Sequence, residues 1–157
     1  MNIQIPRAIQ PPESFSSEAL AVGVQIYVSR PKAGQPGVFE WAFKAPEADL
    51  FDEEGRMIGR HYLDEVNGGP AWELTDGSKV VGNTASPGLK RHAVPNAIPW
   101  LYVPAKLAEG QGALGQVKSI QRLVTLGGVA PTKPAPEKSR EGEEVRVYYS
   151  ATYYFNS

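Results

Sequence analysis

Alternation of apolar and polar residues with a period of two restricts the fold of this chain more than any other feature, and it recurs from Val22 to the C-terminus. In residues 22–29 the even-numbered positions are apolar, and in residues 144–155 the odd-numbered positions are apolar or aromatic. Successive side chains of a β-strand point to opposite faces, so this period is typical of strands that turn one face to a core. No sustained stretch has the period of an amphipathic helix. The pattern therefore predicts an all-β protein.

Turn-forming residues divide the alternating stretches into hairpins. Pro and Gly are concentrated at residues 31–37, an acidic turn at 52–55 ends in Gly55, and the pair Asp76-Gly77 favours a two-residue turn. Strands are predicted around these turns and again later in the chain, at residues 22–29, 39–44, 48–51, 57–62, 72–75, 78–81, 100–103, 117–125 and 144–155. Short strands at this spacing predict an antiparallel sandwich or barrel of about eight to ten strands.

We expect a single β-rich domain over residues 1–157, since a chain of 157 residues with 41% hydrophobic residues can form one core. Residues 1–20 are predicted to be an irregular N-terminal segment, with a short helical turn at 14–20. Residues 127–142, rich in Pro, Lys and Glu, are predicted to be an exposed loop. Because proline cannot donate to a strand ladder, the strand at 100–103 is predicted to end at Pro104 or to lie at an edge.

Net charge and composition exclude several classes of partner and site. A net charge of −1, with no basic face interleaved with aromatic residues, argues against binding to nucleic acid. No apolar run approaches the ~18 residues of a membrane helix, so no membrane span is predicted. The absence of cysteine excludes a disulfide, a catalytic thiol and a Cys-ligated metal. The first residues also lack the apolar core of a signal peptide.

His61 is the residue on which a catalytic or metal site would most readily be built. It lies at the end of a predicted strand, and imidazole suits general acid–base chemistry and metal ligation near neutral pH. The carboxylates of Glu73 and Asp76 follow within a short stretch, and a histidine with two carboxylates can bind a divalent metal. The alternative is a structural histidine that is hydrogen-bonded to a neighbouring backbone carbonyl.

Aromatic and polar residues within the strands indicate a ligand site near His61. Trp72 could serve as a platform for a sugar ring, and Tyr62 stands next to His61. Gln25 and Arg122 are polar residues within apolar strands, where they either join a structural network with a carboxylate or recognise an anionic ligand. The predicted ligand-binding residues are Gln25, His61, Tyr62, Trp72, Glu73, Asp76 and Arg122. The alternative is that the tryptophans pack in the core.

Short segments spread along nearly the whole chain form a pattern shared with a known family. They are GVQIY at 23–27, WAFKAPEADLFD at 41–52, GRHY at 59–62, WE at 72–73, DGS at 76–78, AIPWL at 97–101, IQR at 120–122, GGVAP at 127–131 and EVRVY at 144–148. In these segments the chain resembles domain-of-unknown-function family 3455. The resemblance implies bacterial and fungal relatives that are mostly exported and that have no established activity.

The chain departs from that family in its cysteines. The resemblance implies a cysteine where this chain has Ser29 and a second one in the loop at residues 133–136, paired with each other in relatives. This chain has neither. The family also implies an exported protein whose leader is absent from this chain. If Met1 is the native first residue, a cytoplasmic location is expected instead.

We therefore expect a non-catalytic β-domain that binds a small molecule or a glycan, or that has a structural role. One alternative is a small metal-assisted or acid–base enzyme centred on His61, with Glu73 or Asp76. Another is a protein–protein interaction module that uses the tyrosine-rich C-terminal strand as its contact surface. No cofactor is predicted, apart from a divalent metal at His61 in the enzyme alternative. The sequence leaves the oligomeric state open.

Overall fold

The computed structural model describes residues 9–85, 89–132 and 138–157. Its regular elements are antiparallel β-strands, with a 3-10 turn at Lys138–Arg140. The strands are β1 (Phe15–Pro31), β2 (Phe39–Phe51), β3 (Met57–Asp64), β4 (Gly69–Leu74), β5 (Lys79–Gly82), β6 (Leu89–Arg91), β7 (Trp100–Glu109), β8 (Ser119–Gly127) and β9 (Glu144–Asn156). The predicted all-β class is confirmed. These residues include no helix of the length and hydrophobicity needed to cross a bilayer.

Eight of the strands form a closed barrel, and the remaining strand extends it. From β1, the neighbours run β2, β3, β4 and β5 in one direction and β9, β8 and β7 in the other. The barrel closes where β5 pairs with the C-terminal half of β7, over residues 79–82 and 105–109. β6 pairs with the N-terminal half of β7 and so lies outside the closed ring. Of the two predicted architectures, the barrel is therefore the one that forms.

β1 is the longest strand, with 17 residues, and it begins at Phe15, seven residues before the first predicted strand. The prediction of an irregular segment with a helical turn is wrong for residues 15–20, while residues 1–8 lie outside the described ranges. Residues 15–20 pair with the end of β9, where Leu20 lies opposite Thr152. Long-range pairing therefore overrides the local conformational preference of this segment.

β7 continues through Pro104 to Glu109, so the prediction that a strand ends at this proline is wrong. The carbonyl oxygen of Pro104 accepts a hydrogen bond from the backbone nitrogen of Asn83 at 2.8 Å. In an antiparallel strand the nitrogen and the carbonyl of one residue point to the same side. On that side β6 pairs with β7 up to Tyr102, and β5 pairs with it from Ala105 onward. The proline therefore lies between two partners, where its missing donor leaves no ladder bond unmade.

The core inside the barrel is built from inward-facing positions of most strands and from the segments that follow β6 and β7. Its buried members are Ala19, Ala21, Ala48, Leu50, Trp72, Val80, Ile98, Leu114, Val117, Ile120, Tyr149, Ala151, Tyr153 and Phe155. The predicted alternation in β9 is confirmed, because Tyr149, Tyr153 and Phe155 are buried while Tyr148 on the other face is 62% exposed. The inner face of β9 therefore packs in the middle of the core.

Two glycines allow neighbouring strands to approach closely. A Cβ atom at Gly23 would overlap the carbonyl oxygen of Glu47 in β2 and would lie 2.5 Å from the Cα atom of Ala48. A Cβ atom at Gly59 would overlap the carbonyl oxygen of Glu73 in the same way. Strand glycines of this kind mark tight bends or close backbone approach. The curvature of this small barrel therefore depends on the absence of a side chain at these positions.

The loop predicted at residues 127–142 is packed against the barrel at its start. Gly127 ends β8, Gly128 is buried, and the carbonyl oxygen of Gly128 accepts a hydrogen bond from the hydroxyl group of Tyr27. The prediction of an exposed loop is therefore wrong for these two glycines, because both are bound to the neighbouring strands. Residues 133–137, where the resemblance implies the second cysteine of relatives, lie outside the described ranges.

Candidate functional site

Side chains do not fill the whole interior of the barrel, and a cavity of about 630 Å³ remains. Volumes of roughly 300–1,000 Å³ are typical of sites for small molecules. The buried residues of its wall are Gln25, Tyr27, Pro46, His61, Gly69, Trp72, Ile98, Ile120 and Tyr153, and the exposed ones at its mouth are Phe43, Gly68, Thr84 and Lys90. Glycine and proline occupy several wall positions on β2 and β4, so short side chains leave this space open.

His61 lies on β3 with its side chain inside the barrel, and it is 4% exposed. Its Nδ1 donates a hydrogen bond to the carbonyl oxygen of Ala71 at 2.8 Å, which leaves Nε2 as an acceptor in the neutral imidazole. Burial lowers the pKa of His61 from 6.5 to about 3; the hydrogen bond to Ala71 opposes this shift, and the charge of Arg122 adds to it. His61 is therefore neutral near pH 7, with the backbone partner expected of a structural histidine.

Trp72 on β4 forms the aromatic part of the wall together with its neighbours. The ring of His61 stacks on the indole of Trp72, with 4.4 Å between ring centres and 13° between planes. The rings of Tyr153 and Phe155 meet the indole edge-on, at 5.2 and 6.3 Å between centres. His61 thus covers one face of the indole, so Trp72 does not present the open platform that was predicted for a sugar ring.

Arg122 on β8 brings a positive charge to the cavity. Its Nε and Nη2 donate hydrogen bonds to the carbonyl oxygen of Pro99, at 3.1 and 2.9 Å. Burial raises the pKa of both Tyr27 and Tyr153, and the charge of Arg122 acts against that shift in each case. The predicted network with a carboxylate does not form, because none of the ion pairs in the described ranges includes Arg122.

Gln25 on β1 also lines the cavity, and it is 4% exposed. Among the described residues, neither its Oε1 nor the Nε1 of Trp72 has a hydrogen-bond partner. A buried polar group without a partner costs roughly 1–3 kcal/mol. Two residues of the cavity wall therefore each contain a buried polar atom, an acceptor in Gln25 and a donor in Trp72, without a partner among the described residues.

Tyr62 and Glu73 belong to the outer surface of the barrel. The hydroxyl group of Tyr62 donates a hydrogen bond to Oε1 of Glu73 at 2.6 Å. Because consecutive side chains of a strand alternate between faces, neither residue can share the inner face of His61 and Trp72. The predicted grouping of these four residues at one site is therefore wrong.

Asp76 lies in the turn between β4 and β5 and is not part of the cavity wall. Its Oδ1 accepts hydrogen bonds from the hydroxyl and the backbone nitrogen of Ser78, at 2.6 and 2.9 Å, and its Oδ2 accepts one from the backbone nitrogen of Ala113 at 2.9 Å. The hydrogen bond from the Ser78 hydroxyl is the main cause of a lowered pKa of Asp76. The turn has three residues rather than the predicted two, since the nitrogen of Leu74 donates to the carbonyl of Ser78. Asp76 therefore has a structural role.

The metal-assisted and acid–base hypotheses both require His61 to meet a carboxylate. His61 points into the barrel, whereas Glu73 lies on the outer surface and Asp76 lies in a turn. The described residues that line the cavity include no Asp or Glu. In the described parts of the chain, no three His, Asp or Glu side chains are grouped so that they could hold a metal ion. The predicted polar centre of His61 with Glu73 or Asp76 is therefore not assembled.

Two parts of the cavity wall are not identified from the sequence. Lys90 reaches it because β6 pairs with β7, and the segment Ile98-Pro99 reaches it because β8 holds it in place. The backbone nitrogen of Ile98 donates to the carbonyl of Gly127 at 3.0 Å, and its carbonyl accepts from Oγ1 of Thr125 at 2.6 Å. A polar threonine in an apolar strand is the one sequence signal that could have indicated this attachment.

Comparison with known proteins identifies a family but no activity. The model of a family described as a protein of unknown function, DUF3455, matches residues 11–157. No curated protein and no solved structure gives a match. The family resemblance seen in the sequence is thus confirmed over nearly the whole chain, and the chemistry of the cavity is the basis on which a function can be argued.

Proposed function

The chain belongs to the DUF3455 family of proteins of unknown function, and we propose that it is a binding protein that holds one small molecule inside its barrel without transforming it. The cavity of about 630 Å³ is the observation that supports this most strongly. Four of the seven predicted ligand-binding residues line it, namely Gln25, His61, Trp72 and Arg122. The interior of an eight-stranded barrel is either filled by side chains or wide enough for one small ligand. The cavity in this barrel is large enough for one small ligand.

The polar groups of the cavity suit binding better than catalysis. His61 is neutral near pH 7 and its Nδ1 is bound to Ala71, so one side of its imidazole is already engaged. Within the described ranges, no Asp or Glu lines the cavity to act as a general acid, general base or nucleophile. Gln25 and Trp72 instead offer an acceptor and a donor that are already buried, so a ligand that pairs with them removes an existing cost.

The wall favours a ligand with an apolar body over a glycan. Leu63, Leu101, Val103 and Ile120 contribute aliphatic surface from β3, β7 and β8. Each Å² of apolar surface removed from water contributes roughly 25 cal/mol to binding before the costs of association. Trp72 is a poor platform for a sugar ring, because His61 stacks on one face of its indole.

A tryptophan at position 63 is expected to block binding. Leu63 lines the cavity, so the larger indole of Leu63→Trp would occupy the space that a ligand needs. N-phenyl-1-naphthylamine, a neutral dye that becomes fluorescent in apolar surroundings, should bind the unmodified protein and bind Leu63→Trp at least about tenfold more weakly, which is about 1.4 kcal/mol. The measurement is a dye titration with excitation of the dye itself.

The matched control is Val66→Trp, which adds the same side chain at a position that is 94% exposed. This variant should bind the dye as the unmodified protein does. Equal affinity in the two tryptophan variants would show that the dye binds outside the cavity. Failure of the unmodified protein to bind the dye would count directly against a ligand-binding barrel.

A further inference from the structure

We infer that the ligand carries a negative charge, as an apolar body with one carboxylate group, and that its charged end binds at Arg122. This inference rests on the proposed function and specifies the class of ligand for the same cavity. It follows from the sign of the charges on the wall, from the state of Arg122 and from the polar atoms near it.

Among the residues that the structure describes, the charged side chains of the cavity wall are positive. Arg122 lies in the wall and Lys90 at the mouth, and no Asp or Glu of the described ranges lines the cavity. His61 adds no charge near neutral pH. Because the whole chain has a net charge of −1, the positive wall does not reflect a general excess of basic residues. A cleft with low-dielectric walls and charges of one sign attracts ligands of the opposite sign.

Arg122 is held in place by neutral groups. Its Nε and Nη2 both donate to the carbonyl oxygen of Pro99, and the hydroxyl oxygen of Tyr153 accepts a further hydrogen bond from the guanidinium, which has five N–H donors in all. Several arginines on the outer surface have carboxylate partners, as in the pairs Arg30–Glu40, Arg56–Asp52, Arg140–Glu143 and Arg146–Glu47. Arg122 has no such partner within the described ranges. A half-buried guanidinium in this state can form a strong, charge-assisted pair with an incoming carboxylate.

Gln25 lies close to this end of the cavity. A Cβ atom at Gly128 would be 3.1 Å from Cγ2 of Ile98 and 3.2 Å from Cγ of Gln25, so Gln25 is near the segment that Arg122 binds. Its Oε1 has no partner among the described residues and can only accept a hydrogen bond. A hydroxyl or N–H group close to the carboxylate of the ligand would satisfy it.

A structural role for Arg122 makes a different prediction. The two hydrogen bonds to Pro99 attach the segment after β6 to β8, so their loss could deform the cavity. A deformed cavity would bind charged and neutral ligands less well to the same degree. Recognition of charge instead predicts that removal of Arg122 weakens the binding of anions alone.

The test compares two dyes that differ only in charge. 8-Anilino-1-naphthalenesulfonate is N-phenyl-1-naphthylamine with an added sulfonate group. The anionic dye should bind the unmodified protein at least about tenfold more tightly than the neutral one, and Arg122→Gln should remove that preference while leaving the neutral dye unaffected. Arg60→Gln, which removes the same charge from an exposed position on β3, should keep it. Decanoate should likewise displace the neutral dye better than 1-decanol does, which extends the test to a carboxylate.

The outcomes separate this inference from the proposed function. If both dyes bind equally and Leu63→Trp blocks both, the cavity is a binding site but the anionic ligand is wrong. An equal loss of both dyes in Arg122→Gln would assign Arg122 a structural role only. If neither dye binds, the proposed function itself fails. If Arg122→Gln does not fold, the comparison of decanoate with 1-decanol on the unmodified protein tests the preference for an anion. Arg122→Lys keeps the charge and should still bind the anionic dye more tightly than the neutral one.

Discussion

Replacement of Gly23 by alanine is expected to lower the free energy of unfolding by about 3 kcal/mol or more, because the new methyl group has no space. It would overlap the carbonyl oxygen of Glu47 and lie 2.5 Å from the Cα atom of Ala48. Both contacts are with backbone, so relief requires β1 and β2 to separate within their ladder, where Gly23 lies opposite Ala48. The measurement is urea-induced unfolding followed by circular dichroism.

Gly82→Ala is the matched control, since it makes the same change in another strand. There the new Cβ atom would meet only side-chain atoms, Cγ1 of Val103 at 3.1 Å and Cγ of Pro70 at 3.2 Å, and both residues border the cavity. We expect that variant to stay within about 1 kcal/mol of the unmodified protein. An equally small effect at Gly23 would contradict the view that close backbone approach sets the curvature of the barrel.

Acidification from pH 7 to pH 4.5 is expected to lower the free energy of unfolding by about 3 kcal/mol through His61 alone. Burial holds the pKa of His61 at about 3 in the folded protein, against an ordinary value of 6.5. Between these values the unfolded chain binds a proton that the folded chain does not. The contribution of His61 to the free energy of unfolding is therefore fully present above pH 6.5, and it falls by about 1.4 kcal/mol for each pH unit below that value. Urea unfolding at several pH values measures this slope.

Two variants test whether the dependence of the unfolding free energy on pH comes from His61. His61→Gln removes the titrating group, so its stability should change much less over this pH range, even if it is less stable at pH 7. His92→Gln removes the other histidine of the chain, which is exposed, and should keep the full slope. Aspartates with a lowered pKa, such as Asp76, destabilise the fold mainly as the pH falls below their ordinary value of 3.8, which is outside this range, and Glu143, whose pKa is lowered from 4.5, begins to do so only at its acidic limit. Equal slopes in all three proteins would refute a buried, neutral His61.

The strands were largely predictable because their pattern is local. Alternation and turn residues predicted the hairpins β1–β2, β2–β3 and β4–β5 and the inner face of β9 without any knowledge of distant contacts, whereas the β3–β4 hairpin was not predicted. Polarity within an apolar strand also singled out Gln25 and Arg122, and both line the cavity. Closeness in sequence is a poor guide to the other candidates. His61 and Tyr62 are adjacent and therefore face opposite sides of a strand, so Tyr62, although it is part of the predicted site, does not line the cavity.

The remaining features depend on contacts between distant parts of the chain. No local pattern shows that β5 closes the barrel against β7, or that β6 brings Lys90 to the mouth of the cavity. The N-terminal part of β1 is a strand only because it pairs with β9, and Phe15 lies opposite Asn156 there. The attachment of Ile98 and Pro99 likewise depends on hydrogen bonds to Arg122, Thr125 and Gly127 of β8, which are distant in sequence. Such features depend on tertiary contacts, about which the conformational preferences of residues and the spacing of apolar positions carry no information.

The position of β9 between β1 and β8 has a consequence for how the barrel assembles during synthesis. The strands β1 to β5, β7 and β8 can form an open sheet as they emerge from the ribosome, with β1 and β8 as its free edges. Of these strands β9 is made last, and it must insert between β8, which precedes it directly in the chain, and β1, which is far from both in sequence. Closure of such non-local pairings is slow. Until β9 arrives, both edges can pair with other chains, so the nascent sheet is the stage most exposed to aggregation.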